Sequence, residues 1–316
     1  MELAIIFNGQ GAHYEGMGMD FVEEFQEAKE IFTQAEDITQ LPIQTWNNSD
    51  INQLALTKNA QPAIVTTSLA IYESIKTKLP AIQYMAGLSL GEYSSLIASD
   101  VLELDEGLNL IKKRGDIMSA YCEHIEKDAS YLMAAVINMP IDEIKTLVES
   151  IHTEETPLYI ANYNSPTQIV VAGIKEAVTA FRKEAKGLGY RKVIPLKVEG
   201  PFHTPIMKGM QADFEEVLAN TQFQAGTVPV ISNVTVENHS TDQIRTLLSD
   251  HLVKPVKWFP TVHRLKEEGI THVIQIGPGN TLAKLMAKDE LAPEVFVVDK
   301  VEDVEELTQW LSSGGK

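Results

Sequence analysis

The stretch Met85-Ala-Gly-Leu-Ser-Leu-Gly-Glu-Tyr93 constrains the fold of this chain more than any other. Within it, Gly87–Gly91 fits the G-x-S-x-G pattern, in which a strand enters a helix through a very tight turn with serine at its apex. Glycine is needed two residues on either side, because a Cβ there would collide with the turn. The apolar residues 82–86 and 93–98 fit the flanking strand and buried helix. Two interpretations remain open, a nucleophilic Ser89 or a plain glycine-bounded turn.

The bulk composition excludes several classes of protein. With 316 residues, the chain is long enough for one large domain and a second smaller one. A net charge of −18 disfavours a general binder of nucleic acid or of anionic membranes. The single cysteine, Cys122, cannot form an internal disulfide, and no apolar stretch approaches the roughly 20 residues that span a bilayer. We therefore expect a cytoplasmic protein with no membrane partner.

The order of elements predicts an α/β fold with a parallel sheet. Leu3–Phe7 is an apolar strand candidate that ends in Gly9-Gln10-Gly11, and an amphipathic segment follows over Phe21–Ala35. A tight loop at the carboxyl end of such a strand can present backbone N–H groups to a ligand, because sites in open α/β sheets form at that edge. The glycine loop lacks the G-x-G-x-x-G spacing, so a nucleotide site is disfavoured.

The middle of the chain predicts a separate unit. Candidate elements between 129 and 198 follow the order β-α-β-β-α-β, which is that of the ferredoxin-like split βαβ unit. We expect this segment to be an inserted small subdomain, and residues 1–128 and 199–316 to form the large domain. Three further expectations concern local structure: a turn at Thr57–Pro62, a strand at Arg191–Val198, and a strand at Val228–Ser232.

A serine nucleophile needs a base, and His203 is the best-placed of the eight histidines. It lies in Gly200-Pro-Phe-His-Thr-Pro205, a loop bounded by prolines that follows a strand candidate and precedes a helix candidate. This context fixes a ring at the carboxyl edge of the sheet, either as a catalytic base or as a structural loop histidine. As a base it would carry the usual imidazole pKa of about 6.5.

The chain resembles the malonyl-CoA:acyl carrier protein transacylases and, more widely, the acyltransferase domains of fatty-acid and polyketide synthases. The resemblance covers essentially the whole chain, and its motifs occur in the family's order and at about its spacing. These motifs are Phe7–Ala12, Thr57–Pro62, Gly87–Tyr93, Lys113–Gly115, Asn162–Pro166, Gly200–His203, Lys254–Trp258 and Ile276–Gly279. The resemblance implies an α/β-hydrolase-like large domain and a ping-pong transfer of a malonyl group.

The resemblance also implies roles for individual residues. Ser89 would carry the malonyl group, and His203 would act as general base in both half-reactions. The backbone N–H groups of Gln10 and Leu90 match the family's oxyanion hole. A backbone carbonyl near Lys257 would hold the other ring nitrogen of His203, so that no aspartate is needed.

The malonyl carboxylate would bind Arg114, which matches the family's carboxylate-binding position. An arginine suits this task because its planar fork meets a carboxylate through two hydrogen bonds. Asn162 matches a pocket-lining position, and Phe202 resembles the malonyl-type signature, which leaves little room for a branched acyl group. Three residues depart from the family's pattern. Leu88 stands where many relatives have histidine. Asn8 stands where proline is common and His13 where glutamine is frequent, which puts the rigidity of that loop in question.

The partners that the resemblance implies are malonyl-CoA and an acyl carrier protein with its phosphopantetheine arm. No bound cofactor, metal or nucleic acid is implied, and we expect a monomer. Five basic residues, Arg182, Lys183, Lys186, Arg191 and Lys192, form either a docking site for the acidic carrier protein or an ordinary solvated surface.

Three alternatives compete with this interpretation. An esterase or thioesterase would share Ser89 and His203 but would normally need an intervening acid and a glycine-rich oxyanion loop, and neither is evident. A non-catalytic docking module would have no use for Ser89, Arg114 and His203 together. A discrete malonyl acyltransferase that serves a polyketide assembly line would have the same chemistry, and the sequence does not separate it from a fatty-acid enzyme.

Overall fold

Strands and helices alternate along most of the chain, as the sequence predicts for an α/β protein. The computed structural model describes residues 1–315, to which all structural statements below refer. The strands are β1 (Leu3–Phe7), β2 (Ile82–Gly87), β3 (Tyr131–Ile137), β4 (Leu158–Ser165), β5 (Gln168–Ile174), β6 (Val193–Pro195), β7 (Val256–Lys257), β8 (His272–Ile276) and β9 (Glu294–Val298). The helices are α1 (Met19–Glu24), α2 (Gln26–Thr39), α3 (Ile43–Ser49), α4 (Thr57–Ile75), α5 (Leu90–Ala98), α6 (Leu104–Ile125), α7 (Ile141–Ile151), α8 (Lys175–Gly187), α9 (Gln211–Ala219), α10 (Ile244–Asp250), α11 (Trp258–Glu267), α12 (Thr281–Met286) and α13 (Asp303–Ser312).

A four-stranded parallel sheet organises the large part of the molecule. Its strand order is β2-β1-β8-β9; β1 pairs in parallel with β2 on one side, with a register shift after Leu3, and with β8 on the other. All five residues of β1 are buried, because helices cover both faces of the sheet. The carboxyl ends of β1 and β2 therefore lie side by side, which brings the loop after Phe7 next to the turn after Gly87.

Helix α4 fills the core beside this sheet. Seventeen of its residues are buried, and it packs against α2, α5 and α6. A helix that is buried on nearly every side needs apolar or small residues all around, and the sequence of α4 supplies them with Ala, Ile, Val, Thr and Ser. Within residues 1–315, no helix combines the length and the hydropathy that crossing a bilayer requires.

A second, mostly antiparallel sheet is built from the middle of the chain. Its strand order is β6-β3-β5-β4-β7, and β3 pairs antiparallel with both β5 and β6. Helices α7 and α8 cover one face and enclose a core of their own, with Phe181 and Ile144 fully buried in it. Strand β7 joins β4 in parallel, so residues 256–257 link this sheet to the C-terminal part of the chain.

The structure differs from three local expectations. Residues 57–62 form the first turns of α4 instead of a separate turn, and Pro62 is accommodated inside the helix. Only Val193–Pro195 of the expected strand 191–198 pairs with a neighbour. The stretch 228–232 forms no strand. It makes two single-residue β-bridges, from Val230 to Met85 and from Ile231 to Asn238.

Candidate active site

Ser89 lies at the apex of a strained turn between β2 and α5. Its backbone has φ 54° and ψ −105°, a left-handed conformation that L-residues other than glycine adopt rarely. A Cβ on Gly87 would collide with the backbone of Gly91, and a Cβ on Gly91 would collide with the carbonyl oxygen of Phe7. The G-x-S-x-G spacing is therefore enforced by contacts within the turn and with β1, as predicted from the sequence.

Asn233 braces this turn from a loop far away in the sequence. Its side-chain Oδ1 accepts a hydrogen bond of 2.7 Å from the backbone N–H of Ser89, and its Nδ2 donates one of 2.8 Å to the carbonyl of Gly87. A buried asparagine that bonds both flanks of a strained residue fixes the turn in place. Asn233 could not be recognised from the sequence, because a contact between residues 144 positions apart leaves no local pattern.

His203 contacts the serine directly. Its Nε2 lies 2.7 Å from Ser89 Oγ, and its Nδ1 lies 2.7 Å from the backbone carbonyl oxygen of His251. A carbonyl can only accept a hydrogen bond, so Nδ1 carries the proton and Nε2 has a free lone pair. The Ser89 hydroxyl therefore donates to Nε2, which is the arrangement that a general base needs.

The carbonyl that holds His203 belongs to His251, and the expectation of Lys257 is wrong. His251 follows the last residue of α10, where backbone carbonyls have no partner within the helix and are free to accept from a side chain. Lys257 precedes α11, and its own carbonyl accepts a hydrogen bond of 2.8 Å from Thr261 Oγ1 in the first turn of that helix.

Burial and a neighbouring charge shift the pKa of His203. Removal of the ring from water is the main cause, the positive charge of Arg114 adds to it, and together they lower the pKa to about 4 in spite of the hydrogen bond to His251. The ordinary value of about 6.5 that the sequence suggested is therefore wrong. The imidazole is neutral at pH 7 and can accept a proton.

Arg114 is buried in the middle of α6, with 1% of its surface exposed. Its Nη1 donates a hydrogen bond of 2.7 Å to Gln61 Oε1, and its guanidinium carbon lies 5.0 Å from the ring centroid of Tyr93. Its Nε and Nη2 make no hydrogen bond to any residue from 1 to 315. A buried cation with two unused donors on one edge is suited to bind a carboxylate through two hydrogen bonds.

One cavity of about 390 Å³ brings these groups together. It lies between the loops at the carboxyl edge of the parallel sheet and the second sheet, whose strands β3, β4 and β5 contribute lining residues. The predicted residues that line it are Gln10, Ser89, Arg114, Asn162, Phe202 and His203. Leu88, which differs from the family's pattern, also lines the cavity, and its side chain adds apolar surface there.

Of the two predicted oxyanion-hole residues, Leu90 directly follows Ser89 in the chain, and Gln10 lines the same cavity as Ser89. Leu90 is the first residue of α5, so its N–H has no acceptor within the helix, and its side chain is buried in the core. The side chain of Gln10 donates a hydrogen bond of 2.9 Å to Thr57 Oγ1, which ties the loop after β1 to the start of α4. Helix N-termini and such loops favour an anion.

Asn8 anchors this loop from its other end. Its Nδ2 donates to the carbonyls of Pro278 and Gly279 at 2.8 and 3.2 Å, and its Oδ1 accepts from the N–H of Leu282 at 3.3 Å. The side chain is fully buried. Three hydrogen bonds therefore tie this loop, whose rigidity the sequence left in question, to residues 278–282.

Comparison with known proteins identifies the family. Residues 4–299 match the family of acyl transferase domains. The malonyl CoA-acyl carrier protein transacylase of Bacillus subtilis (strain 168) is 33% identical over 312 residues, which cover 98% of this chain and 97% of that protein. Among solved structures, MCAT from Streptococcus pneumoniae superposes with a TM-score of 0.91 at 33% identity, covering 98% of this chain and 99% of that one.

A second similar structure contains a malonyl-transacylase together with its carrier protein. In the PlMCAT:AntF complex, a type II PKS acyl-carrier protein is bound to its malonyl-transacylase; the match has 28% identity and a TM-score of 0.91, covering 98% of this chain and 99% of that one. The family match spans more than nine-tenths of the chain and includes every element that lines the cavity. The chain therefore belongs to the acyl transferase family.

Proposed function

We propose that this protein transfers the malonyl group of malonyl-CoA to the phosphopantetheine thiol of an acyl carrier protein, through a malonyl ester of Ser89. One observation carries the proposal: a serine hydroxyl bonded to a neutral imidazole opens into the same cavity as a buried arginine with two unused donors. Nucleophile, base and carboxylate-binding group are what transfer of a malonyl group needs. The names of the relatives agree with this substrate.

In the first half-reaction, Ser89 Oγ attacks the thioester carbonyl carbon while its proton passes to His203 Nε2. The carbonyl oxygen becomes an oxyanion, which the backbone N–H groups of Gln10 and Leu90 stabilise. Collapse of this intermediate breaks the C–S bond, and the CoA sulfur leaves with the proton from Nε2. The products are free CoA and malonyl-Ser89.

The second half-reaction runs the same steps with a different thiol. The phosphopantetheine thiol gives its proton to His203 Nε2, and its sulfur attacks the ester carbonyl of malonyl-Ser89. The C–O bond then breaks, and Ser89 takes the proton back. Because the hydrogen bond from Nδ1 to His251 fixes one tautomer, the same nitrogen serves as base and acid in both halves.

Arg114 selects the malonyl group in this proposal. An unpaired carboxylate in a largely apolar cavity costs several kcal/mol, and the free Nε and Nη2 edge of Arg114 removes that cost. Asn162 and Phe202 also line the cavity, and the buried Phe202 ring leaves little room for a branch on the acyl chain.

We infer that the carrier protein docks on the basic rim of the cavity in spite of the total charge of −18. Lys197 lines the cavity mouth, and a neighbouring groove of about 530 Å³ is lined by Lys192, Lys284 and Lys288. Lys186 and Arg191 are exposed on the adjoining α8 and the segment after it, with no ion pair to an acidic residue from 1 to 315. Unpaired surface cations steer an acidic partner.

Two further proposals concern the assembly and its setting. The strand order β6-β3-β5-β4 supports a ferredoxin-like inserted subdomain over 129–198, with 1–128 and 199–316 as the α/β-hydrolase-like catalytic domain. We propose a monomer that needs no bound cofactor and works in the cytoplasm, a compartment in which the lone, buried Cys122 stays a thiol.

A transfer assay tests the proposed function. Radiolabelled malonyl-CoA is mixed with the protein, with and without a phosphopantetheinylated acyl carrier protein. We expect label on the carrier protein in the native reaction and none above background with Ser89→Ala. Rapid release of free malonate in the absence of carrier protein, with no label transferred when it is present, would instead identify a thioesterase.

The pathway is assigned to fatty-acid synthesis. Support comes from solved FabD structures, such as that from Acinetobacter baumannii, which superposes with a TM-score of 0.92 at 29% identity and covers 99% of each chain. The kcat/KM values for a fatty-acid carrier protein and a polyketide carrier protein, measured side by side, test this choice. A clear preference for the polyketide carrier would reverse it.

A further inference from the structure

A fully buried glutamate lies directly behind the serine turn. Glu92 is in the first turn of α5, three residues after Ser89, and its side chain is completely shielded from solvent. It is not among the residues that line the cavity, so it touches no substrate. Burying a carboxyl group is costly unless its oxygens receive hydrogen bonds, and the transfer steps described above make no use of this group.

Three groups surround the Glu92 carboxyl. All three come from residues 233–251, far from Glu92 in the sequence. The backbone N–H of Asn233 donates to Oε2 at 3.1 Å, and His239 Nε2 donates to Oε1 at 2.5 Å. The ring of His251 packs against the carboxyl group, with its Nδ1 3.4 Å from Oε2 in a close contact that lacks hydrogen-bond geometry. The side chains of His239 and His251 are as deeply buried as that of Glu92.

Two of these groups are the ones that hold the catalytic pair. Asn233 fixes the strained turn, because its side chain bonds the N–H of Ser89 and the carbonyl of Gly87. His251 fixes the base twice: its backbone carbonyl accepts from His203 Nδ1, and its ring stacks on the His203 ring with centroids 4.9 Å apart and planes at 26°. One carboxyl group therefore contacts the holder of the nucleophile and the holder of the base.

We propose that Glu92 is a positioning residue that sets the Ser89 Oγ to His203 Nε2 distance by holding Asn233 and His251 at the same time. His239 completes the device by holding the carboxyl group from the opposite side. The inference rests on the proposed Ser–His mechanism, since it concerns the alignment of that pair. Alignment matters because a misplacement of about 1 Å can cost about 10²-fold in rate.

The proposal predicts which kinetic constant changes. Glu92 lies behind the reacting pair and outside the cavity, so the contacts that bind malonyl-CoA do not depend on it. Disturbing Glu92 slows formation of malonyl-Ser89 and leaves the affinity for malonyl-CoA unchanged. A residue that only stabilised the fold would lower the active fraction and the melting temperature, and the molecules that remain folded would react at the native rate.

The test uses two variants of the full chain. Glu92→Gln keeps the side-chain volume but replaces one acceptor oxygen with a donor, and His239→Phe keeps a ring but removes the Nε2–H donor. For each, the single-turnover rate of Ser89 malonylation at saturating malonyl-CoA and the apparent Kd are measured. We expect Glu92→Gln to slow acylation about tenfold or more, with the Kd within about twofold of native.

His239→Phe slows acylation in the same direction, and the double variant loses less than the product of the two single losses, because both act through one carboxyl group. The matched control is Asp289→Asn, which removes another carboxyl from a histidine: His263 Nε2 lies 2.7 Å from Asp289 Oδ2, away from the cavity. This control acylates at the native rate.

Acylation by Glu92→Gln at the native rate, or a loss equal to that of Asp289→Asn, overturns the proposal. If Glu92→Gln does not fold, the rate of His239→Phe decides alone. The proposed function is judged separately, because native protein that fails to form malonyl-Ser89 refutes the Ser–His mechanism, whereas a native protein that acylates normally leaves only the role of Glu92 in question.

Discussion

The two ends of the active-site cavity are built in different ways. At the reacting end, Ser89 and His203 both have positive φ values, 54° and 61°, and distant groups hold them: the Asn233 side chain and the His251 backbone carbonyl. At the binding end, Arg114 sits in the regular helix α6, bonded to Gln61 through one nitrogen only. The reacting pair needs a fixed orientation, whereas the binding arginine needs hydrogen-bond donors that remain free for the substrate carboxylate.

The two ends are also coupled electrostatically. Burial is the main cause of the lowered pKa of His203, and the charge of Arg114 adds to it, so the binding group helps to keep the base neutral in the free protein. A bound malonyl carboxylate offsets that charge and makes the imidazole easier to protonate at the moment when it must take the serine proton. We therefore expect substitutions at the reacting end to change the rate and substitutions at the binding end to change the substrate preference.

Loss of the base is expected to have the largest effect on rate. His203→Ala removes the acceptor of the serine proton, and general base catalysis contributes about 10²–10⁴-fold. We expect kcat for transfer to fall by at least about a hundredfold. His263→Ala, which removes a histidine outside the cavity, is the control, and a loss below about tenfold in His203→Ala would mean that another group takes the proton.

Arg114→Ala is expected to change selectivity more than turnover. Truncating one partner of a buried charge pair costs about 2–5 kcal/mol, which corresponds to about 30-fold or more in the preference for malonyl-CoA over acetyl-CoA. Competition between the two substrates measures the ratio. Arg245→Ala provides a control, since Arg245 also lies 5.0 Å from an aromatic ring but outside the cavity. An unchanged ratio in Arg114→Ala would require another cation for the carboxylate.

The pH dependence tests the coupling between the ends. His203 must be neutral to accept the proton, and its pKa is lowered to about 4, so acylation should stay level as pH falls from 7.5 to 5.5 and decline only near pH 4. An imidazole with the ordinary pKa of about 6.5 would instead lose about tenfold over that interval. In Arg114→Ala the decline should begin at higher pH, because one of the causes that lower the pKa has been removed.

A tenfold loss of the native rate by pH 5.5 would contradict the burial of the base. A decline at the same pH in native protein and Arg114→Ala would contradict the coupling. Single-turnover acylation of Ser89 at subsaturating malonyl-CoA is the appropriate measurement, because it reports the pKa of the free protein and avoids titration of the carrier protein.

The smallest expected effect concerns the rim. Charge reversal at Lys186 and Arg191 should raise the KM for carrier protein several-fold, as removal of rim charges typically slows association, and should leave the KM for malonyl-CoA unchanged. Reversal at the exposed Lys29 and Lys266 gives the same net charge away from the cavity and serves as the control. Equal effects on both substrates, or equal effects of both double variants, would show that docking occurs elsewhere.

The sequence was informative where function depends on a local pattern. The glycine spacing around Ser89 predicted a tight turn because the collisions it avoids lie within five residues of the chain, apart from the contact with Phe7. The loop around His203 was recognisable from its flanking prolines. The parallel sheet and its carboxyl edge followed from the order of apolar segments.

The supporting contacts could not be predicted in the same way. Asn233, Glu92 and His239 come together only when the loop after residue 230 packs against the turn between β2 and α5. No local periodicity in the sequence indicates such a contact. The carbonyl that accepts from His203 was expected near Lys257, because every residue has a backbone carbonyl and the sequence does not show which one is close. In the structure it belongs to His251, at the C-terminal end of α10. The pKa of His203 likewise depends on burial that the sequence does not state.

The central claim is that Ser89 carries the malonyl group, and mass spectrometry of the acylated protein tests it most directly. Native protein and Ser89→Ala are each mixed with malonyl-CoA without carrier protein, quenched, and digested. We expect one malonyl group on the native peptide that contains Ser89, its disappearance when phosphopantetheinylated carrier protein is added, and no adduct on Ser89→Ala. A malonyl group on another residue, or equal labelling of both proteins, would contradict the mechanism.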